Sequence, residues 1–383
     1  MRKHIAIFIA ILTSVLFAAC SKDDADDSHE ELPNRMTVMM FFPWSGTSTS
    51  NGLYPFVVQN VKEIQQAIID NKGFSQVRFV CFMSDTPISS VLYEMKYRKG
   101  KCECDTVHRY GQIDFSDEST LTRIFLTSMQ SAPAERYGMI VGGHGSGWLP
   151  PPATTPKKTR YIGGYSGIYA TDTQVFAKAL EATGKKLSYI IFDNCYMANI
   201  EVAYELRNST DLMIASASEI IERGIPYQSI FKYFVFAPPN VDDAINEFYQ
   251  FYQSYTYPYG TLSAIDCSKV EKMADVMRRV NNGWSIESDQ LNLVQKLDGY
   301  TSTVFYDMAD YVHHFCDDKT LVAEFDNTMN QLVLHKKWTD LLYCETTGTR
   351  FRVNTFCGIT ISDPSESLMA KGKTETNWYK DTH

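Results

Sequence analysis

Two short apolar runs constrain this chain more than any other feature. Tyr137-Gly-Met-Ile-Val-Gly-Gly-His144-Gly-Ser-Gly-Trp148 and Ser188-Tyr-Ile-Ile-Phe-Asp-Asn-Cys195-Tyr-Met-Ala-Asn199 each open on a stretch that is too short for a buried helix and lacks polar alternation. Both read as parallel strands covered on two faces. Each leads to a reactive side chain, an imidazole in one and a thiol in the other, and in open α/β sheets ligands bind at the carboxyl ends of strands. The pair therefore reads as a cysteine nucleophile, Cys195, with a histidine base, His144. Nine Cys and eight His make a chance pairing easy. The weight falls instead on context: both residues lie at strand ends beside small or turn-forming residues, and Gly145 leaves the backbone open to a substrate carbonyl. A buried structural cysteine beside an unrelated loop histidine is the competing reading of these features alone.

The flanking pattern sets the fold class. Residues 36–42 and 77–83 read as strands around a helix at 57–69, whose apolar positions are Val57, Val58, Val61, Ile64, Ala67 and Ile68. Residues 91–97 and 104–110 form a hairpin, and 121–129 a helix leading into the histidine strand. The hairpin also accounts for Cys102, Cys104 and His108, whose spacing fits no zinc pattern. A capping box, Thr171-Asp-Thr-Gln174, opens a helix that runs through Leu180 and stops at Gly184, returning the chain to the cysteine strand. A helix from Ile200 and a strand at 212–216 follow. Such βα alternation predicts an α/β/α sandwich with a mostly parallel central sheet and helices on both faces. Beyond Gly224 the pattern is more helical, with helices expected at 241–252, 269–280, 306–315 and 321–334 and strands at 261–265 and 358–361. We place a core over 35–266 and a helical extension packed on it over 267–383, with no internal repeat.

The ends of the chain carry a different message. Arg2 and Lys3 precede an apolar run from Ile5 to Ala19, which has the length and flanks of a secretory leader over 1–19. The run closes Leu16-Phe-Ala-Ala-Cys20, which resembles a bacterial lipoprotein cleavage box, so Cys20 is the expected lipidation site; an ordinary leader with a chance cysteine is the alternative. Residues 20–34 are charged and lack aromatics, as suits an unfolded tether. Their acidity resembles the surface-export signal of Bacteroidetes lipoproteins. The expected place is thus the cell envelope, anchored by lipid at the outer membrane, with the acidic stretch read either as a signal for surface exposure or as a merely solvated linker. A net charge of -9 gives no footing for nucleic acid, and no later stretch is apolar enough to span a membrane. Between His144 and the next helix lies an exposed loop with four prolines and the basic residues Lys157, Lys158 and Arg160.

Taken together, His144-Gly-Ser-Gly-Trp148, Asp193-Asn-Cys-Tyr-Met197, Glu201-Val-Ala-Tyr-Glu-Leu206 and Ala215-Ser-Ala-Ser-Glu219 with Gly224-Ile-Pro-Tyr227 resemble the clostripain family of cysteine peptidases. That family shares a caspase-like fold, and the caspase pattern likewise sets its histidine about 50 residues before its cysteine. The resemblance implies cleavage of protein or peptide substrates after Arg or Lys by a Cys195–His144 dyad, through an acyl-thioester. It implies the backbone N–H groups of Gly145 and Cys195 as oxyanion donors, and Asp193 as the acid of the pocket for the residue before the cut, although a carboxylate there also suits a turn cap. Ser216 and Glu219 are candidates to wall the same pocket. Self-cleavage at Lys157, Lys158 or Arg160 is a family habit that this loop accommodates; an exposed loop left intact reads equally well. Calcium dependence is known in the family, but no ligand loop is evident here, so no metal or cofactor is expected. The chain departs from the usual Asp-Ala-Cys-Leu-Met-Gly at Asn194, Tyr196 and Ala198, and Tyr196 is expected at the cleft rim. Two other readings remain: a peptide-binding surface lipoprotein without turnover, and a peptidase with a non-basic preference.

Overall fold

Val38, Met40 and Phe42 pack into one apolar cluster and Met39 and Phe41 into another, so strand β1 (Met36–Phe42) is buried along both faces. That alternation is what a three-layer sandwich demands of a central strand. The computed structural model describes residues 34–149, 161–164, 167–285, 288–365, 367 and 369–383. The leader, Cys20, the tether up to residue 33 and the basic positions Lys157, Lys158 and Arg160 lie outside the described residues.

The central sheet has nine strands. With β2 (Val77–Thr86), β3 (Ser89–Arg98), β4 (Lys101–Tyr110), β5 (Arg136–Gly142), β6 (Tyr189–Asp193), β7 (Leu212–Ala215), β8 (Thr261–Asp266) and β9 (Val333–Trp338), the order across it is β9-β8-β7-β6-β5-β1-β2-β3-β4. The five strands from β2 to β7 through β1, β5 and β6 are parallel. The hairpin β3–β4 and the pair β8–β9 run antiparallel at the two edges. The expected α/β/α sandwich, parallel at its centre, is the fold observed.

One face is covered by helix α1 (Tyr54–Asp70) and by Val241–Gln253, the other by α2 (Glu118–Ser131), α3 (Thr173–Glu181), α4 (Ile200–Leu206) and Val270–Gly283. Helix α3 begins later than the sequence pattern suggests. Its N-cap is Asp172, whose side chain accepts from Gln174 N, while Thr171 pairs in a short strand with Ile162 and bonds Phe115 O. The region after Asp266 supplies more than helices. Residues 333–334, read as the end of a helix, belong to edge strand β9, and the short pair Phe305–Asp307 with Thr360–Ser362 joins the turn before α4 through Thr360 N to Ala198 O. One apolar cluster runs from β1 to Trp378, so the C-terminal region shares its core with the sheet.

Candidate active site

Parallel pairing of β5 with β6 sets Gly142 opposite Asp193, so the two loops that follow emerge side by side at the carboxyl edge. The His144 loop is fixed from both sides. His144 and Gly163 exchange backbone hydrogen bonds of 3.1 Å each, and Asn194 Nδ2 donates to Gly143 O at 2.9 Å and His144 O at 3.0 Å. Farther along, Thr173 Oγ1 bonds Gly147 O and Trp148 Nε1 bonds Ser362 Oγ. Gly145 then passes so close to the cysteine loop that an added Cβ would lie 2.6 Å from Asn194 Cβ and 2.9 Å from Cys195 N. Only glycine allows that approach, which brings the Gly145 and Cys195 backbones together.

After Cys195 the chain turns sharply: Tyr196 adopts a φ of 61°, a conformation that costs a branched or bulky residue on the order of 1 kcal/mol or more. The turn is held by Tyr196 N to Ser218 O, Ala198 N to Ser216 O, and Asn199, which bonds Tyr196 O and caps α4 through Val202 N. The Tyr196 side chain is not at the rim. It is 3% exposed, stacks on Phe305 at 5.0 Å and donates to Glu219 Oε1 at 3.0 Å. Glu219 Oε2 in turn accepts from Glu345 N at 2.8 Å. Glu219 thus ties the cysteine turn to the C-terminal region. Ser216 is fully buried, with Oγ 2.9 Å from Thr261 Oγ1, and braces the turn from behind. Neither residue is among those that line the cleft beside Cys195.

That cleft is lined by Asn60, Asp193, Asn194, Cys195, Ile220 and Gly224, among others. Asp193 is 7% exposed. Its Oδ1 accepts from Ile225 N at 3.0 Å, and its Oδ2 from Tyr227 OH at 3.0 Å and Asn60 Nδ2 at 3.2 Å. Gly224, at a φ of 68°, lets the carboxylate close in; a Cβ there would stand 2.6 Å from Oδ2. Burial raises the Asp193 carboxyl to about 6, although the bonds from Ile225 N and Tyr227 OH and the charge of Arg223 pull the other way. Asn60 and Tyr227 were not singled out as site residues. Asn60 shares the buried face of α1 with Val57, Val61 and Ile64, and a polar residue on an apolar helical face is the signal that marks it.

Electrostatics keep both reactive groups neutral at rest. Burial pulls the His144 imidazole down to about 4. The Cys195 thiol is pushed up to about 12, first by burial and then by the negative charges of Glu219, Asp193 and Glu345. Cys195 Sγ also sits 3.3 Å from Ile220 N, a contact that favours the thiolate but is outweighed. Among the described residues no group of three or more His, Cys, Asp or Glu is placed to hold a metal ion.

The model of the clostripain family matches residues 47–353. The chain belongs to that family of cysteine peptidases. It is similar to a secreted cysteine protease of Bacteroides thetaiotaomicron, iotapain, with 35% identity, a TM-score of 0.85, and coverage of 92% of this chain and 100% of that one. A clostripain from the same organism, solved with a peptide inhibitor, is 40% identical over 58% of this chain and 99% of its own, with a TM-score of 0.56. An inactive zymogen from Parabacteroides distasonis shares the fold at 24% identity, a TM-score of 0.78, and coverage of 92% and 99%. Among curated protein sequences nothing matches the chain.

Proposed function

We propose that this peptidase cuts after Arg or Lys, with Cys195 as nucleophile and His144 as general base and acid. The observation that carries the specificity is a buried carboxylate, Asp193, lining the cleft next to the nucleophile. A cationic side chain entering that cleft gains a charge-assisted bond where little solvent screens it.

The chemistry follows from the neutral resting pair. His144 takes the thiol proton as Cys195 Sγ attacks the scissile carbonyl carbon, and the oxyanion is met by the N–H groups of Gly145 and Cys195, whose backbones the structure brings together. The C–N bond then breaks as His144 returns the proton to the departing amine, leaving an acyl-thioester. Water, deprotonated by His144, attacks that carbonyl; the C–S bond breaks and the thiol is restored. Support for an envelope location comes from the leader, Cys20 and the acidic tether, together with the description of iotapain as secreted. We extend the proposal to a lipid anchor at Cys20, attachment to the outer membrane and self-cleavage at Lys157, Lys158 or Arg160.

The test is hydrolysis of Arg- and Lys-terminated aminomethylcoumarin peptides by the mature protein and by Cys195→Ala, with gels read for fragments cut near 157–160. Activity and fragments lost together in the variant are the expected result. Turnover confined to peptides with small or acidic residues before the bond overturns the basic preference. Peptide binding with no turnover under reducing conditions overturns the catalytic reading in favour of a binding lipoprotein.

A further inference from the structure

Asn194, one of the positions at which the chain departs from the usual Asp-Ala-Cys, is 1% exposed and stands one residue before the nucleophile. A side-chain amide has two hydrogens to give, and both are used: Nδ2 donates to Gly143 O at 2.9 Å and to His144 O at 3.0 Å. Its Oδ1 is buried without a donor. Turning the amide over would set that oxygen against two carbonyls, so the contacts fix its orientation. For stability alone this is a poor exchange, because an orphaned buried acceptor costs about 1–3 kcal/mol and two neutral hydrogen bonds return about as much. An alanine would strand no oxygen. A buried polar group of this kind calls for an explanation outside the fold.

The explanation lies in what the two bonds hold. Four of the six residues from Gly142 to Gly147 are glycine, with Gly143 at a φ of 137° and Gly147 at 66°. Such a segment loses more freedom on ordering than any other, and its shape depends on what it is tied to. Gly163 ties it from one side through the backbone bonds exchanged with His144. Asn194 ties it from the side of the nucleophile. The two carbonyls it reaches belong to the peptide units on either side of the His144 Cα, so both planes that direct the imidazole are anchored to the cysteine loop. The peptide unit that ends in His144 O also carries the Gly145 N–H, and in a planar trans peptide the two point opposite ways. Anchoring the carbonyl therefore aims the N–H.

We propose that Asn194 is a positioning residue for the reaction: by holding these two peptide units against the cysteine loop, it sets the reach of the His144 imidazole to Cys195 and the aim of the Gly145 N–H at the oxyanion. The inference rests on the dyad mechanism proposed above. Asn194 exchanges no proton and acts only through His144 and Gly145, so its loss falls on the chemical step rather than on substrate binding.

The experiment measures kcat, KM and thermal melting for the wild type, Asn194→Ala and Asn194→Asp, on an aminomethylcoumarin peptide that the wild type hydrolyses. In Asn194→Ala kcat is expected to fall by roughly tenfold to a hundredfold, since a misplacement of about 1 Å is worth on the order of a hundredfold. KM is expected to stay within about threefold, as it does when an interaction serves only the transition state. Melting is expected to shift by a few degrees at most, because the lost bonds are offset by the orphaned oxygen that goes with them. Asn194→Asp tests the geometry and guards against a misfolded first variant. Protonated, its carboxyl donates one hydrogen bond and keeps one tie; ionised, it turns only acceptors toward two carbonyls. Its kcat relative to the wild type at the same pH is expected to fall as pH rises, whereas the Asn194→Ala ratio stays level. Comparison at equal pH removes the titration of His144 and Asp193 that the enzymes share.

An unchanged kcat in Asn194→Ala overturns the proposal, and so does a loss carried by KM, which makes Asn194 a substrate contact. A folded Asn194→Asp whose ratio does not move with pH overturns it as well. Equal losses in both variants at every pH with collapsed melting reduce Asn194 to a structural role. Wild-type turnover that survives Cys195→Ala overturns the dyad reading and this inference with it, whereas Cys195-dependent turnover that neither Asn194 variant alters refutes only the positioning.

Discussion

Asp193→Asn separates the specificity argument from a structural one, because the substitution is expected to move three measurements in different directions. The carboxylate is 7% exposed, and its pKa of about 6 against an ordinary 3.8 means that roughly 3 kcal/mol opposes its ionisation in the free enzyme. Replacing it by an amide of the same shape removes that cost. Ile225 N keeps an acceptor, Tyr227 OH can reverse its bond, and the Asn60 amide can turn to receive the new N–H, so the fold is retained. Turnover behaves oppositely. Losing the charged partner of a buried, hydrogen-bonded cation costs about 2–5 kcal/mol, so kcat/KM for Arg and Lys peptides is expected to fall by roughly 30-fold to several thousandfold. A matched peptide with norleucine, a neutral side chain of similar length, before the bond never used the charge and is expected to change little. The third readout is chemical: Asp193 is one of the negative charges that hold the Cys195 thiol up, so the variant's free enzyme is expected to react faster with iodoacetamide at neutral pH. Peptide kinetics, thermal melting and alkylation with the small reagent together make the assay. An unchanged Arg:norleucine ratio refutes the pocket, and a collapsed melting temperature with equal losses on both peptides makes Asp193 a structural cap. Slower alkylation in a folded variant refutes the electrostatic account of the thiol.

Three further outcomes follow from the same geometry. On Arg peptides kcat/KM is expected to fall in two stages as pH drops, first as Asp193 takes up its proton near 6 and then as His144 does so near 4, whereas the norleucine peptide shows only the lower stage; one shared step near 6.5 would contradict both shifts. Tyr196→Ala is expected to destabilise the fold by about 3–5 kcal/mol in urea titrations, because the ring is buried against Phe305 and its hydroxyl holds Glu219; a loss under 1 kcal/mol would return Tyr196 to the rim. Lys373 is 2% exposed, with Nζ 3.7 Å from Oε1 of the fully buried Glu201, so Lys373→Met is expected to cost about 3–5 kcal/mol by stranding that carboxylate. Adding Glu201→Gln should recover most of it, and a double variant no more stable than the single one would refute the pairing.

What the sequence made legible is what depends on short-range pattern. Apolar runs with two covered faces marked β1, β5 and β6, and their carboxyl ends marked His144 and Cys195, because burial on both sides leaves a strand no polar positions to blur the signal. Asp193 was legible too, as the last residue of β6 facing the layer that holds α1. What short-range pattern does not carry is anything set by packing across the fold. Ser216 and Glu219 follow β7 with the spacing expected of pocket residues, yet one is consumed by Thr261 on the next strand and the other by Tyr196 and the Glu345 backbone. Edge strand β9 reads partly as helix, since its pairing with β8 comes from 70 or so residues away and no local alternation announces it. Asn60 is the instructive case. It is 133 residues from its carboxylate partner, and within α1 it interrupts, with Glu63, a largely apolar buried face. A helix gains nothing for its own stability from a buried amide at that position, so local pattern treats the residue as noise. The cost becomes intelligible only when the parallel sheet places α1 against the end of β6, where the same amide donates to Asp193. Residues that weaken the element they belong to are expected at a functional site, and here that weakness, rather than any motif, points to the pocket.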